Sequence, residues 1–285
     1  MWVIFALLNP VAEGLRSLFV KKASHQVEPI IISWANNLLP SILFLPGLFF
    51  IEVQINRLFL LSFLGTAFIN LAATILYMRA ISKGDISKVM PMMSFTPLFL
   101  LITSPILVGE FPHTLGVIGI LFIVAGSYLL NSNLRKQGIF APFKALLKEK
   151  GPRYMFIVGF LWSISANLDK ISIQNSSILQ HIIFLNIFIF TSLTIFLASR
   201  GKLKKETIYP ARKNLVFVSL FTCGTFIFHM TALSMTLVAY VVSLKRLSGV
   251  ISVFLGYFAL NEPNIRERLL GSLVMFIGVL LILLS

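Results

Sequence analysis

Charge is what this sequence has least of. Only 12% of its 285 residues are Asp, Glu, Lys or Arg, about half the share with which a soluble domain covers its core. Hydrophobic residues make up 57% and the mean hydropathy is +0.92, so lipid is the expected solvent and a single membrane domain the expected organisation. Cysteine occurs once, as Cys223 inside an apolar run; an intramolecular disulfide is excluded and a small buried hydrophobe is expected. The four histidines, His25, His113, His181 and His229, are scattered without metal-ligand spacing. No glycine-rich phosphate loop ending in lysine is present, so neither a metal centre, nor a cofactor, nor ATP-driven pumping is expected. An enzyme would need a catalytic cluster, and none is written here. The first apolar run holds Asn9, Pro10, Glu13 and Arg16 without a small-residue cleavage site, which reads as a retained helix rather than a signal peptide.

What the chain does have is long apolar runs. About 20 such residues cross the hydrocarbon core as a helix, and that length predicts ten spans: 2–20, 30–50, 58–80, 88–108, 112–130, 154–172, 180–198, 214–235, 239–260 and 264–284. The fold class expected is all-α, with domains at 1–130 and 154–285 joined by a basic connection over 131–153. Ile139, Phe140, Phe143, Leu146 and Leu147 alternate with lysines in that connection, which suits a short helix in the headgroup layer or else a solvated linker.

A formal net charge of +14 does not point to nucleic acid, because the basic residues lie in short runs between spans. Loops after odd-numbered spans carry Lys21 and Lys22, then Arg79, Lys83 and Lys88. Further along come the groups from Arg135 to Arg153 and from Arg200 to Lys213, and finally Arg266 and Arg268; the other side has Arg57 and, at a helix end, Lys170. Basic loops stay in the cytoplasm and favour anionic lipid, so both termini are expected outside, with the inner membrane of a bacterium as the location.

The chain also repeats itself. Shifted by 152 residues, Met78, Ala80, Ser82, Val89, Glu110, Gly119, Leu121 and Gly126 fall on Met230, Ala232, Ser234, Val241, Glu262, Gly271, Leu273 and Gly278. A shift of 153 lays Leu8, Leu15 and Ser24 on Leu161, Leu168 and Ser177. Five spans per half is an odd number, so the second copy must enter the membrane inverted. The charges agree: the loop between the second and third spans of each half is nearly neutral in one and strongly basic in the other. Oppositely inserted halves rocking about a central site are a transporter signature.

These residues resemble a known family. The stretch Tyr77-Met-Arg-Ala-Ile-Ser, with Pro91, Pro97, Gly109-Glu110, Gly116, Gly119 and Gly126, is similar to one EamA-type repeat of the drug/metabolite transporter superfamily. Met230-Thr-Ala-Leu-Ser, Leu260-Asn-Glu262-Pro and Gly271 to Gly278 form its counterpart. The resemblance covers nearly the whole chain and implies a ten-helix inverted-repeat transporter with a central cavity; it does not name a substrate.

Ionisable groups inside spans are costly unless paired or wet, which makes each a candidate for function. Lys245 and Arg246 lie within Val241-Val-Ser-Leu-Lys-Arg-Leu-Ser-Gly249 of the ninth span. The pair is similar to the Lys-Arg on the corresponding helix of triose-phosphate and sugar-phosphate translocators, where it holds a phosphate group. Cationic forks and points suit oxyanions; the plainer reading is snorkelling to the headgroups or pairing with an acid. Glu13 and Arg16 share a helix face and neutralise each other, or Glu13 serves as a proton carrier or a partner for Lys245. Asp169 and Lys170 read as a third pair at the end of the sixth span. On that pairing the interior holds two uncompensated cations, and an anionic or zwitterionic small-molecule substrate is expected. Pro91, Pro97 and Gly249 soften the fourth and ninth spans, with Pro97 overlaying Gly249. Tyr77, Tyr240, Trp162 and His229 are candidate lining groups, although ordinary packing is the plainer reading. The repeated glycines suit close helix packing within the chain, with a homodimer face as the alternative. A flippase for a lipid or lipid-linked sugar is the nearest rival to a solute transporter.

Overall fold

Local chemistry marks where the helices begin and end. Asn56 accepts a hydrogen bond from the Phe59 amide at 2.8 Å and Ser177 one from Gln180 at 3.1 Å, each capping a helix N-terminus. The computed structural model describes residues 1–84, 86–131, 140–260 and 265–285. Its main helical elements are α1 (Trp2–Ser24), α2 (Pro29–Phe50), α3 (Arg57–Lys83), α4 (Ile86–Met93 and Thr96–Leu107) and α5 (Thr114–Asn131) in the first half. The second half supplies α6 (Lys150–Gln174), α7 (Ile178–Ser199), α8 (Arg212–Met235), α9 (Val238–Lys245 and Ser248–Leu260) and α10 (Ile265–Leu283). No strand occurs among the described residues.

Among the described residues, eight segments are long and apolar enough to cross a membrane: α1, α2, α3, α6 and α7, with Lys88–Leu107, Tyr209–Met235 and Val238–Ala259. Two shorter apolar helices, Thr114–Leu130 and Leu269–Leu283, accompany them. Large apolar side chains are turned outward, among them Phe68, Ile106, Ile195 and Phe276, each at least 60% exposed. Such a surface is stable only against lipid.

The halves interlock rather than lie side by side. The most extensive contacts pair α5 with α10, α3 with α6 and α1 with α8, all between the halves. At the α5–α10 crossing the glycines meet reciprocally. A Cβ added to Gly119 would stand 2.7 Å from the Gly278 carbonyl oxygen, and one added to Gly126 would stand 2.5 Å from that of Gly271. This crosswise register is antiparallel and brings the backbones within reach of each other, as small residues permit. The glycines are thus used inside the chain.

Two helices break at overlaid positions. α4 is interrupted at Ser94–Phe95 and α9 at Arg246–Leu247, positions 152 residues apart. In α4, Pro97 cannot donate to the preceding turn, and the gap falls just before it. In α9 the second piece begins at Ser248 next to Gly249. Both chain ends lie at one end of the bundle: Trp2 stacks on Tyr240 at 6.3 Å, and the Tyr240 hydroxyl accepts from Ser285 Oγ at 2.9 Å. At the opposite end, the connection carries a helix over Ala141–Lys148 that docks Phe143 on Phe95 and Tyr128. Phe140 and Leu147 stay 68% and 75% exposed. The rest of the basic connection, with Arg135, Lys136 and Ile139, lies outside the described residues, as does the Asn261-Glu262-Pro263 motif.

Candidate functional site

The α9 break sets the geometry of the interior. The first piece of α9 ends at Lys245 and places Arg246 in the turn. Eight residues at 1.5 Å each carry Lys245 about 12 Å from the end of the bundle, near mid-span. Neither side chain makes a hydrogen bond or ion pair among the described residues, and Nε of Arg246 is buried without a partner. Both nevertheless retain some exposure.

Glu13 and Arg16 on α1 face this pair. They form an ion pair with each other, with side chains 14% and 23% exposed. Arg16 also donates to Asn36 Oδ1 at 3.2 Å, which accepts from Thr222 Oγ1 at 2.6 Å. Asn36 ends the first piece of α2, so the loosened second helix feeds a polar group into the cluster. Glu13 interacts electrostatically with Lys245, Arg246 and His229, and with Arg16 and Tyr77. His229 is buried on α8, and its Nδ1 has no hydrogen-bond partner among the described residues. Tyr77 packs against Trp162 at 6.0 Å between ring centroids. The structure therefore gathers Glu13, Arg16, Tyr77, His229, Lys245 and Arg246, with Trp162 behind Tyr77. Tyr240 lies elsewhere, in the terminal packing against Trp2 and Gly116. Pro91 and Pro97 flank the α4 break, and Gly249 flanks the α9 break, which holds Arg246 itself.

The expected Asp169–Lys170 pair is not formed. Neighbouring helix positions diverge by about 100°, and the two side chains take separate partners, both buried. Lys170 pairs with Glu110 and donates to the Thr236 carbonyl at 2.7 Å. Glu110 also accepts from the Val238 amide at 3.1 Å, at the N-terminus of α9, where the helix dipole favours a carboxylate. Its neighbour Gly109 has φ of 69°. That left-handed turn ends α4 and aims Glu110 across to the other half. Asp169 instead accepts from Thr66 Oγ1 at 2.6 Å and lies 3.3 Å from His181 Nε2. Four cations, Arg16, Lys170, Lys245 and Arg246, thus sit with three carboxylates, Glu13, Glu110 and Asp169. The expected excess of two positive charges becomes one.

Sequence reasoning missed Asn36, Thr222, Thr66 and the inward role of Glu110. Polar residues isolated within apolar runs were the available signal, and Asn36-Asn37 is the clearest instance.

The whole chain has known counterparts. A solved crystal structure of another protein matches with a TM-score of 0.75 over 99% of this chain and 97% of that one; at 12% identity this likeness concerns the fold alone. No curated protein matches the sequence. The EamA-like transporter family model matches twice, over residues 1–132 and 150–284. With both halves matched, the chain belongs to the EamA-like transporter family and is an integral membrane transporter of the drug/metabolite transporter superfamily.

Proposed function

We propose that this protein is a secondary transporter of ten membrane-spanning helices that moves a small anionic or zwitterionic metabolite by alternating access. The observation that carries the reading is the Lys245–Arg246 pair, two cations near mid-span that form no ion pair of their own among the described residues, beside a Glu13 already paired with Arg16. An unpaired cation in that setting costs several kcal/mol, and a carboxylate or phosphate on the substrate would offset it. Arg246 offers a planar fork for two oxygens and Lys245 a point charge. The inverted halves supply two equivalent arrangements that expose such a site to either side in turn. The basic loops favour a bacterial inner membrane with both termini outside.

Flux into proteoliposomes tests this, using a panel of anionic metabolites, amino acids and labelled lipids. Wild-type protein should move at least one soluble anion or zwitterion, and Lys245→Gln should lose about tenfold or more of that flux with its unfolding temperature unchanged. Equal flux in both proteins would refute the site. Movement of labelled lipid alone would make the protein a flippase.

A further inference from the structure

One buried ionisable couple is left unused by the anion site. Asp169 on α6 and His181 on α7 are 6% and 0% exposed. His181 Nδ1 lies 2.8 Å from Ser172 Oγ, while Nε2 faces Asp169 Oδ1 at 3.3 Å and makes no hydrogen bond among the described residues. The sole hydrogen bond seen to reach Asp169 among the described residues comes from Thr66 Oγ1, which is itself 2.7 Å from Ser165 Oγ. Asn70 Nδ2 donates to Ser165 Oγ at 2.8 Å and shares its other hydrogen between the Thr66 carbonyl at 2.9 Å and Thr66 Oγ1 at 3.1 Å.

A carboxylate ion held by one neutral hydroxyl is poorly solvated in such surroundings. In the tautomer that donates from Nδ1 to Ser172, the Nε2 lone pair also faces a carboxylate oxygen and adds repulsion. A proton between the two relieves both, and it has two bases on which to sit. We infer that the Asp169–His181 couple is the binding site of a coupling proton, separate from the anion site. Thr66, Ser165 and Asn70 position the carboxylate. The inference rests on the transport reading and adds its driving ion.

The charged and titratable groups facing the couple connect it to the anion site. His181 interacts with His229 of α8, and Asp169 with Lys245 of α9. His229 interacts in turn with Glu13, Lys245 and Arg246. From α3 come only the neutral Thr66 and Asn70. Lys170, next in sequence, is turned away to Glu110 and the Thr236 carbonyl. Taking up a proton makes the couple one unit more positive beside Lys245, which favours an anion there. By linkage a bound anion favours the proton equally, so the two travel together as a symport. A sodium ion fits less well, because the Asn70 amide aims its N–H groups at the same oxygens a metal would need.

The test uses the purified full-length chain. Infrared pH titration should show a buried carboxyl band that disappears on raising pH in the wild type, is missing in Asp169→Asn, and has a displaced midpoint in His181→Gln. Identical titrations in wild type and Asp169→Asn would overturn the inference whatever the substrate. For any panel compound the wild type moves, a one-unit pH gradient should support about tenfold accumulation of a monoanion carried with one proton. Asp169→Asn should exchange that compound without accumulating it; accumulation equal to wild type overturns the coupling. Accumulation driven by sodium at fixed pH, and lost in Asp169→Asn, also overturns it. If the wild type moves no compound, the transport reading fails while the titration still decides the proton site.

Discussion

Removing the Glu110 carboxylate should weaken the tie between the two halves, and the structure supports a magnitude. The Lys170 and Glu110 side chains are 6% and 18% exposed, so their pairing is little screened by solvent. Breaking one partner of a buried ion pair costs about 3–5 kcal/mol, because the other charge is left behind. The Thr236 carbonyl still accepts from Lys170, which places Glu110→Ala near the lower figure, at about 3 kcal/mol. Lys170→Met should cost less, since Glu110 keeps the Val238 amide and is the more exposed partner. Removing both leaves no stranded charge, so the double variant should recover about 2 kcal/mol relative to the sum of the singles. Cys223 is the chain's single cysteine and is buried; a thiol-reactive fluorophore added to detergent-solubilised protein therefore reports unfolding. Apparent midpoints are compared under one heating rate, because unfolding in detergent is usually irreversible. At about 2–4 °C per kcal/mol, Glu110→Ala should fall by roughly 6–12 °C, with the double variant falling by less than the two single losses added together. An unshifted Glu110→Ala, or strictly additive losses, would refute the ion pair as the tie.

Further expectations follow from the backbone. Gly278→Val should destabilise by about 1–3 kcal/mol, since even its Cβ would stand 2.6 Å from the Gly119 carbonyl oxygen and main chain cannot swing aside; the same thermal assay reads it, and a wild-type midpoint would refute the close crossing. Gly109→Ala should cost about 1 kcal/mol through its left-handed φ alone, because nothing crowds the site; Gly109→Asn should be milder. Cysteines introduced at Met1 and Ser285 of a Cys223→Ser background should react with an impermeant maleimide from the same side of the membrane, the outer side in intact cells. Labelling from opposite sides would break the paired-halves architecture.

The fold was legible because its determinants are periodic and local. Apolar run length placed the helices to within a few residues, and the glycines of the repeat marked the α5–α10 crossing. What could not be read was partner choice. Lys170 and Asp169 are neighbours in sequence and strangers in space, because a helix points them in different directions, and Glu110 reaches Lys170 only through the Gly109 turn. Nor does hydropathy register a polar residue such as Asn36, whose role depends on where a helix breaks and which helix faces the gap.

Symmetry explains where the chemistry had to depart from the repeat. The two breaks are equivalent positions, yet Lys245 and Arg246 overlay Met93 and Ser94, and Ser94 merely bonds Ser127 at 2.8 Å. Arg16 overlays Asp169, and Glu13 overlays Ala166. Had both halves kept the cations, four like charges would have crowded one low-dielectric interior, and the repulsion would have opened the bundle. Had neither kept them, the interior would hold no spare cation for the proposed anion. Placing cations on α9 of one half, and an acid at the α6 position equivalent to Arg16, keeps two compatible charge states on a scaffold whose halves still interlock. A substitution that restores symmetry, Lys245→Met with Arg246→Ser, should therefore leave folding intact while emptying the proposed anion site; collapse of the fold instead would mean that the cations hold the helices together.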